Sequence, residues 1–252
     1  MERIENPNGH YDFLTGISAF SSGVRAHAGF EIVRVVFERP VFWSDGFDIV
    51  ERALDGNGSP STSLCSIELR CSEPYSAGGF DDFNETYVER LLSMGVFERG
   101  QPNPVGRTNV APIDRAPDQQ SMYAFSYTRE ATTDRAVSFV IAGGGEVRGG
   151  EINDQTIVRY GETTPDAIEE KASFVLMVME KRLNGLGLEW SHVRDVSVYT
   201  KHPIDSGVRT LISEQVGSTS LHGIHLYRTA PPVEHIEFEM DVKGPTWQEA
   251  HP

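Results

Sequence analysis

TTPDAIEEKASFVLMVMEKRLNGLG, residues 163–187, with VRDVSVYT, residues 193–200, close behind it, decides the fold class. Thr164 stands where a helix cap belongs, Pro165 suits the first helical position, and acids fill the first turn. Ile168, Ala172, Val175, Leu176, Met179 and Leu183 share one face at spacings of three and four. Lys181 and Arg182 sit near the end, and Gly185 and Gly187 stop the run. Val196, Val198 and Thr200 then alternate as in a half-buried strand. The order is helix, short turn, strand.

Working outward, the same order appears earlier in the chain. WSDGFDIVERALDGNG, 43–58, puts Phe47, Val50 and Leu54 on one face and ends in glycine, and the strand SIELRC, 66–71, follows. A second helix is expected in FDDFNETYVERLLSMG, 80–95, from Phe83, Tyr87, Leu91 and Met94. PNPVGRTNVAP, 102–112, then leads into the alternating strand SMYAFSYT, 121–128. The later half closes alike, with STSLHGIHLYRTAPP, 218–232, and HIEFEMDV, 235–242. FEIVRVVFE, 30–38, and AVSFVIAGG, 136–144, read as the strands that open each half. The expectation is two α+β repeats, 1–130 and 131–252, divided near the polar REATTDR. Helices shield one face of each sheet, so the other face needs a partner, most simply another repeat. The tail GPTWQEAHP, 244–252, reads either as an unstructured end or as an interface arm.

Composition narrows the function. The 252 residues, 38% hydrophobic, suffice for a good core. A net charge of −15 repels phosphate backbones and anionic membranes, so no nucleic-acid or membrane partner is expected. No run of about 18 apolar residues exists, and the start lacks a signal-peptide core, which points to a cytoplasmic protein. Cys65 and Cys71 lie six residues apart on one strand, roughly 20 Å when extended, beyond disulfide reach; reduced thiols are expected.

Against that acid excess stands Arg107, bracketed by three prolines and a glycine. Its planar fork of donors suits a small carboxylate. His222 and His225 form an HxxH that is weak evidence for a metal, and no metal or cofactor is implied. GGGEVRGG, 143–150, lacks the following helix of a phosphate loop and reads as a hairpin turn.

GFDDFNETYVERL with NPVGRTNV, and in the second half AVSFVIAGG, the long helix, VRDVSVYT, LYRTAPP and HIEFEMDV, resemble the Rid/YjgF family of enamine/imine deaminases, including its 2-aminomuconate deaminase branch. The likeness spans nearly the whole chain as two degenerate copies. It implies a chorismate-mutase-like α+β unit, a mixed sheet with helices on one face, and units that close into a barrel-cored trimer; a tandem chain then forms a homotrimer. The resemblance places the family's substrate-carboxylate arginine on Arg107, its asparagine on Asn84 and its glutamate on Glu237. The arginine's position in the second copy is held by His222. The first copy has no acid matching Glu237, and the second has PIDSGVR where the first has its FN pair. One composite site would use Arg107 and Asn84 with Glu237; the alternative is separate chemistry around His222 and Glu237.

The implied reaction is metal-free hydrolysis of a small enamine or imine carboxylate to a carbonyl and ammonia. Arg107 would hold the carboxylate, Glu237 would orient water and shuttle protons, and His222 would serve as an acid or a second anion contact. Backbone groups at Gly143 and Gly144 would meet the substrate, since glycine permits close approach. Two other readings stay open: a chorismatase-like hydrolase or lyase, and a non-catalytic ligand-binding module.

Overall fold

The long helix and the strand after it are both present in the computed structural model, which describes residues 1–132, 137–149 and 151–251. An N-terminal segment forms β1 (Arg3–Asn6), β2 (Tyr11–Leu14) and β3 (Gly23–Ala26). The first half follows: β4 (Phe30–Phe42), α1 (Trp43–Gly56), β5 (Leu64–Arg70), α2 (Ala77–Ser93), β6 (Gly106–Pro112) and β7 (Ser121–Glu130). The second comprises β8 (Phe139–Gly145), α3 (Pro165–Gly185), β9 (Asp195–Thr200), α4 (Ser206–Val216), β10 (His225–Ala230) and β11 (Glu239–Lys243). The chain closes with β12 (Trp247–His251). Residues 133–135 of the expected boundary, and Ala136 and Gly150 of the quoted stretches, lie outside the described residues.

The strands join one mixed sheet in the order β1-β2-β3-β8-β11-β9-β10-β6-β5-β7-β4-β12. The first half contributes the ladder β4-β7-β5-β6 and the second β8-β11-β9-β10, so strands in corresponding chain positions hold corresponding sheet positions. The two ladders meet where Thr229 and Ala230 pair with Pro112 and Ala111. β3 and β4 stand near opposite ends of the sheet, yet only residues 27–29 join them, so the sheet curls until its ends approach. Lys243 on β11 accordingly reaches Glu68 on β5, 4.0 Å away across the inside of the curl.

Helices cover the outside of the curl. Phe47, Val50, Leu54, Tyr87 and Leu91 from α1 and α2 pack on Val33, Ile67, Leu69 and Phe125. Ile168, Val175, Leu176, Met179 and Leu183 from α3 pack on Ile141, Val196, Val198 and Met240. Each such side chain, fully buried, contributes about 1.5–3 kcal/mol. Thr164 occupies the cap position of α3, but its side chain makes no capping bond, and Gly187 takes the left-handed φ of 69° just beyond the helix end.

Several expectations are corrected. The inside of the curl is polar and lined by side chains of both halves. Arg34 pairs with Glu68 (2.6 Å), Lys243 with Asp241 (2.5 Å), and the Tyr199 hydroxyl donates to Asp241 (2.8 Å). The closing strand starts at Glu239, four residues later than its alternation implies, and Glu237, Glu239 and Asp241 are all buried. The tail is a strand, β12, lying parallel to β4 with Trp247 opposite Val33. α4, absent from the periodicity reading, is capped by Asp205 accepting from Val208 N and buries Val208, Ile212 and Val216 at spacings of four. Cys65 and Cys71 are free and buried. In GGGEVRGG, Val147 bridges Ile157 in a short antiparallel turn-back.

Candidate active site

The feature that stands out is an arginine with too few partners. Arg107 lies on β6 and is 2% exposed. Its Nη2 donates to Asn84 Oδ1 on α2 at 2.7 Å. Its Nη1 is buried and, among the described residues, finds no hydrogen-bond partner. Four rings surround the guanidinium carbon: Phe20 at 4.5 Å, Tyr87 at 4.7 Å, Phe80 at 5.3 Å and Phe83 at 5.7 Å. Ring faces attract a cation by about 0.5–2 kcal/mol but accept no strong hydrogen bond. Burial brings the Arg107 pKa down to about 10, so the group stays charged at neutral pH. The helix α2 produces this box from its own spacing: Phe80, Phe83, Asn84 and Tyr87 fall on one face. Phe20 comes from the segment before β3, a contribution that no periodicity in the sequence marks.

Across the seam between the two halves lies Glu239, on β11 and 5% exposed. A Cβ at position 143 would overlap Glu239 Oε1 and stand 3.2 Å from Thr108 Cα. Gly143 thus lets the carboxyl and β6 approach one another. Gly143 N donates to Thr108 Oγ1 (3.0 Å), and Arg182 Nη1 donates to Gly143 O (3.1 Å). Those backbone groups are therefore taken within the chain. A Cβ on Gly144 would meet Met179 and Arg182, so that glycine faces α3. Burial first, then repulsion from Asp241, lifts the Glu239 carboxyl to about 8, opposed by Arg182 and Arg107.

Glu237 behaves differently. His202 Nε2 lies 2.6 Å and Lys201 Nζ 3.1 Å from its Oε2. Burial alone would raise its pKa, but those two partners bring it below the ordinary value. It lines a cleft of about 710 Å³ with Tyr75, Ser76, Gly79, Lys201 and Ile236. Tyr75 stacks on Phe83 (5.7 Å), so the ring layer over Arg107 also forms the wall of this cleft. The structure thus brings Arg107 and Asn84 into direct contact on the helix-covered face, whereas Glu239 lies near Gly143 and Thr108 on the inner face; Glu237 lines the cleft walled by Tyr75. His222 ends the short 3-10 turn Gly217–His222, exposed, apart from the Glu237 pair.

Glu146, the acid inside GGGEVRGG, carries a structural task. It is fully buried and accepts from the backbone N–H of Glu237 (2.7 Å) and Phe238 (3.1 Å) and from Lys171 Nζ (3.1 Å). This clasp fixes the approach to β11. A charged residue on the apolar face of α3, Lys171 among Ile168, Ala172 and Val175, is the signal that would have revealed it. Glu239 was legible only as one acid of an alternating series. No group of three or more His, Cys, Asp or Glu among the described residues is arranged to hold a metal ion.

The sequence profile of the family described as 2-aminomuconate deaminase CnbZ matches residues 3–249. A 2-amino-5-chloromuconate deaminase from Comamonas testosteroni is 40% identical over 238 residues, 94% of each chain. A chorismatase crystal structure superposes over 97% of this chain and 89% of its own, with 11% identity and a TM-score of 0.51, a likeness of fold alone. A member of the YjgF/YER057c/UK114 family from Mycobacterium tuberculosis covers 46% of this chain and 81% of its own, with 14% identity and a TM-score of 0.30. The chain belongs to the 2-aminomuconate deaminase family, the branch its motifs resemble.

Proposed function

We propose that the protein hydrolyses a 2-aminomuconate-type enamine dicarboxylate to the 2-oxo acid and ammonia. The observation that carries this is Arg107 Nη1, a buried guanidinium nitrogen left without a partner. An uncompensated buried cation is costly, and a substrate carboxylate relieves that cost by a charge-assisted, two-point contact. Asn84 holds the other arm of the fork and so sets its plane. Glu237, ionised beside Lys201, orients water in the adjoining cleft. Lys201 offers a cation for the second carboxylate.

The site sits at the seam of two Rid-like tandem units, 1–130 and 131–252, a reading supported by the recurring ladder order. Assembly into a homotrimer is supported by β10, whose Leu226 and Tyr227 are exposed beside Leu221, which is 87% exposed. His222 lies on that same stretch, and a role for it comes with docking of another chain. Buried reduced thiols and the acid excess fit a cytoplasmic location and a small anionic substrate bound in a local basic site. No helix among the described residues is long and apolar enough to cross a membrane.

The test is ammonia release from 2-aminomuconate by the purified protein. Turnover that vanishes in a folded Arg107→Ala variant is the expected result. No release by the native protein, across pH 6–9, contradicts the reading.

A further inference from the structure

Arg107 is not alone among idle donors on its face of β6. Asn109, two residues on, shares that face, about 6.6 Å along the strand. It is buried, and among the described residues its Nδ2 has no hydrogen-bond partner. The hydroxyl of Tyr87, whose ring lies 4.7 Å from the Arg107 guanidinium carbon, is likewise buried and unpaired. Arg182 has an unpaired Nε as well, but its Nη1 is spent on the carbonyls of Ala142 and Gly143. A chain of hydrogen bonds sets which end of Asn109 is left over. The Tyr75 hydroxyl donates to Gln120 Oε1 (2.7 Å), and Gln120 Nε2 donates to Asn109 Oδ1 (3.3 Å). The Asn109 carbonyl is thereby occupied and its amino group is free. Tyr75 stacks on Phe83, and Phe83 lies 5.7 Å from the guanidinium carbon, so the chain closes a loop around the space next to Arg107. Tyr75 also lines the cleft of Glu237, so this loop borders that cleft. An idle buried donor forfeits its bond to water and destabilises the free protein. Three together, one of them charged, complement an anion rich in lone pairs, and a carboxylate offers about four acceptor sites.

We propose that Asn109 and Tyr87 are substrate contacts which complete, with Arg107, one cradle of donors around a single carboxylate. This rests on the reading of Arg107 as a carboxylate clamp. Arg107 Nη1 supplies the charge, Asn109 Nδ2 donates from further along β6, and the Tyr87 hydroxyl donates from α2. Burial keeps the Tyr87 phenol protonated, so it meets a carboxylate as a donor. The side-chain carbonyls nearby are already taken, Asn109 Oδ1 by Gln120 and Asn84 Oδ1 by Arg107 Nη2. The cradle therefore selects a carboxylate over a carboxamide, whose amino group would find no acceptor there. The surrounding rings keep water from competing for the same donors.

The experiment titrates native protein, Tyr87→Phe, Asn109→Ala and Arg107→Ala with cis,cis-muconate by calorimetry, and follows thermal unfolding of each protein without ligand. Tyr87→Phe deletes a single oxygen. It is expected to bind about 10–100-fold more weakly, yet to unfold at the native temperature or above, because the hydroxyl it loses has no bond in the free protein. A hydroxyl kept for the fold would do the reverse. Asn109→Ala is expected to weaken binding by a similar factor, about 10–100-fold. Should it not fold, Asn109→Asp keeps the shape and turns a donor into a repelling charge, and binding is expected to be lost. Affinity within about threefold of native in either folded variant, or a Tyr87→Phe protein that unfolds well below native, overturns the assignment. Binding lost in Arg107→Ala but native in the other variants removes this assignment alone. Native protein that does not bind, or an Arg107→Ala variant that binds like native, removes the clamp reading and this assignment together.

Discussion

β6 and β10 occupy the same place in the two ladders, and they are built to opposite purposes. β6 is buried along nearly its whole length, and its second residue is a caged cation, Arg107. β10 is exposed from His225 to Arg228 and becomes buried only at Thr229 and Ala230, where it meets β6. The helix over β6 supplies an aromatic box; the corresponding helix α4 is shorter and buries only aliphatic residues on its inner face. On the proposed tandem reading, one half keeps the cation while the other supplies carboxyls from the approach to β11. The proposed site then draws on both halves, and β10 is left exposed.

That division of labour can be broken in several ways. The largest effect is expected from Lys171→Met, which leaves Glu146 buried with its cation gone. A loss of about 3–5 kcal/mol in denaturant unfolding is expected, because breaking a buried pair strands one charge. A loss under about 1 kcal/mol would mean that the clasp on residues 237–238 is ornamental.

Next comes the pH dependence written by Glu239. The folded protein holds this proton up to about pH 8, whereas an exposed glutamate releases it near 4.5. Between those values the folded state binds the extra proton, so this group lowers stability as pH rises through the window. Glu239→Gln should therefore unfold at a higher temperature than native protein at pH 8, with the gap shrinking toward pH 5. A gap that grows on acidification would reverse the sign and place an ionised Glu239 in the fold.

A smaller change is expected on the open strand. If the proposed trimer forms through β10, Leu226→Asp should cost about 1.5–3 kcal/mol per copy in assembly and shift sedimentation toward monomer. Unchanged sedimentation would take β10 out of the interface. The smallest effect belongs to His222→Ala, expected to alter kcat/KM by less than about threefold, since exposed side chains away from a site seldom matter by more. A tenfold loss would return chemistry to the second half.

Much of this was legible in the residues. Amphipathic spacing gives α1, α2 and α3, and alternation or apolar runs give most strands, because one buried face imposes each period. Arg107 and Asn84 were readable as a pair from their motifs, and they touch. What escaped has physical reasons. β5 and β6 are buried on both faces, so no polar side marks their length. β12 and β1 pair at the sheet margins with mixed burial and little pattern of their own. Which acids of HIEFEMDV lie on β11 depends on where the strand begins. Glu146 clasps two backbone amides there, from 91 and 92 residues away, and spacing carries no trace of so distant a contact.

The central claim is that Arg107 awaits a carboxylate. Calorimetric titration with cis,cis-muconate, which has both carboxylates and no amino group, tests it without turnover. Native protein should bind and a folded Arg107→Ala variant should bind at least about 100-fold more weakly, the loss expected when a buried charge partner is removed. Equal binding by both proteins would contradict the account.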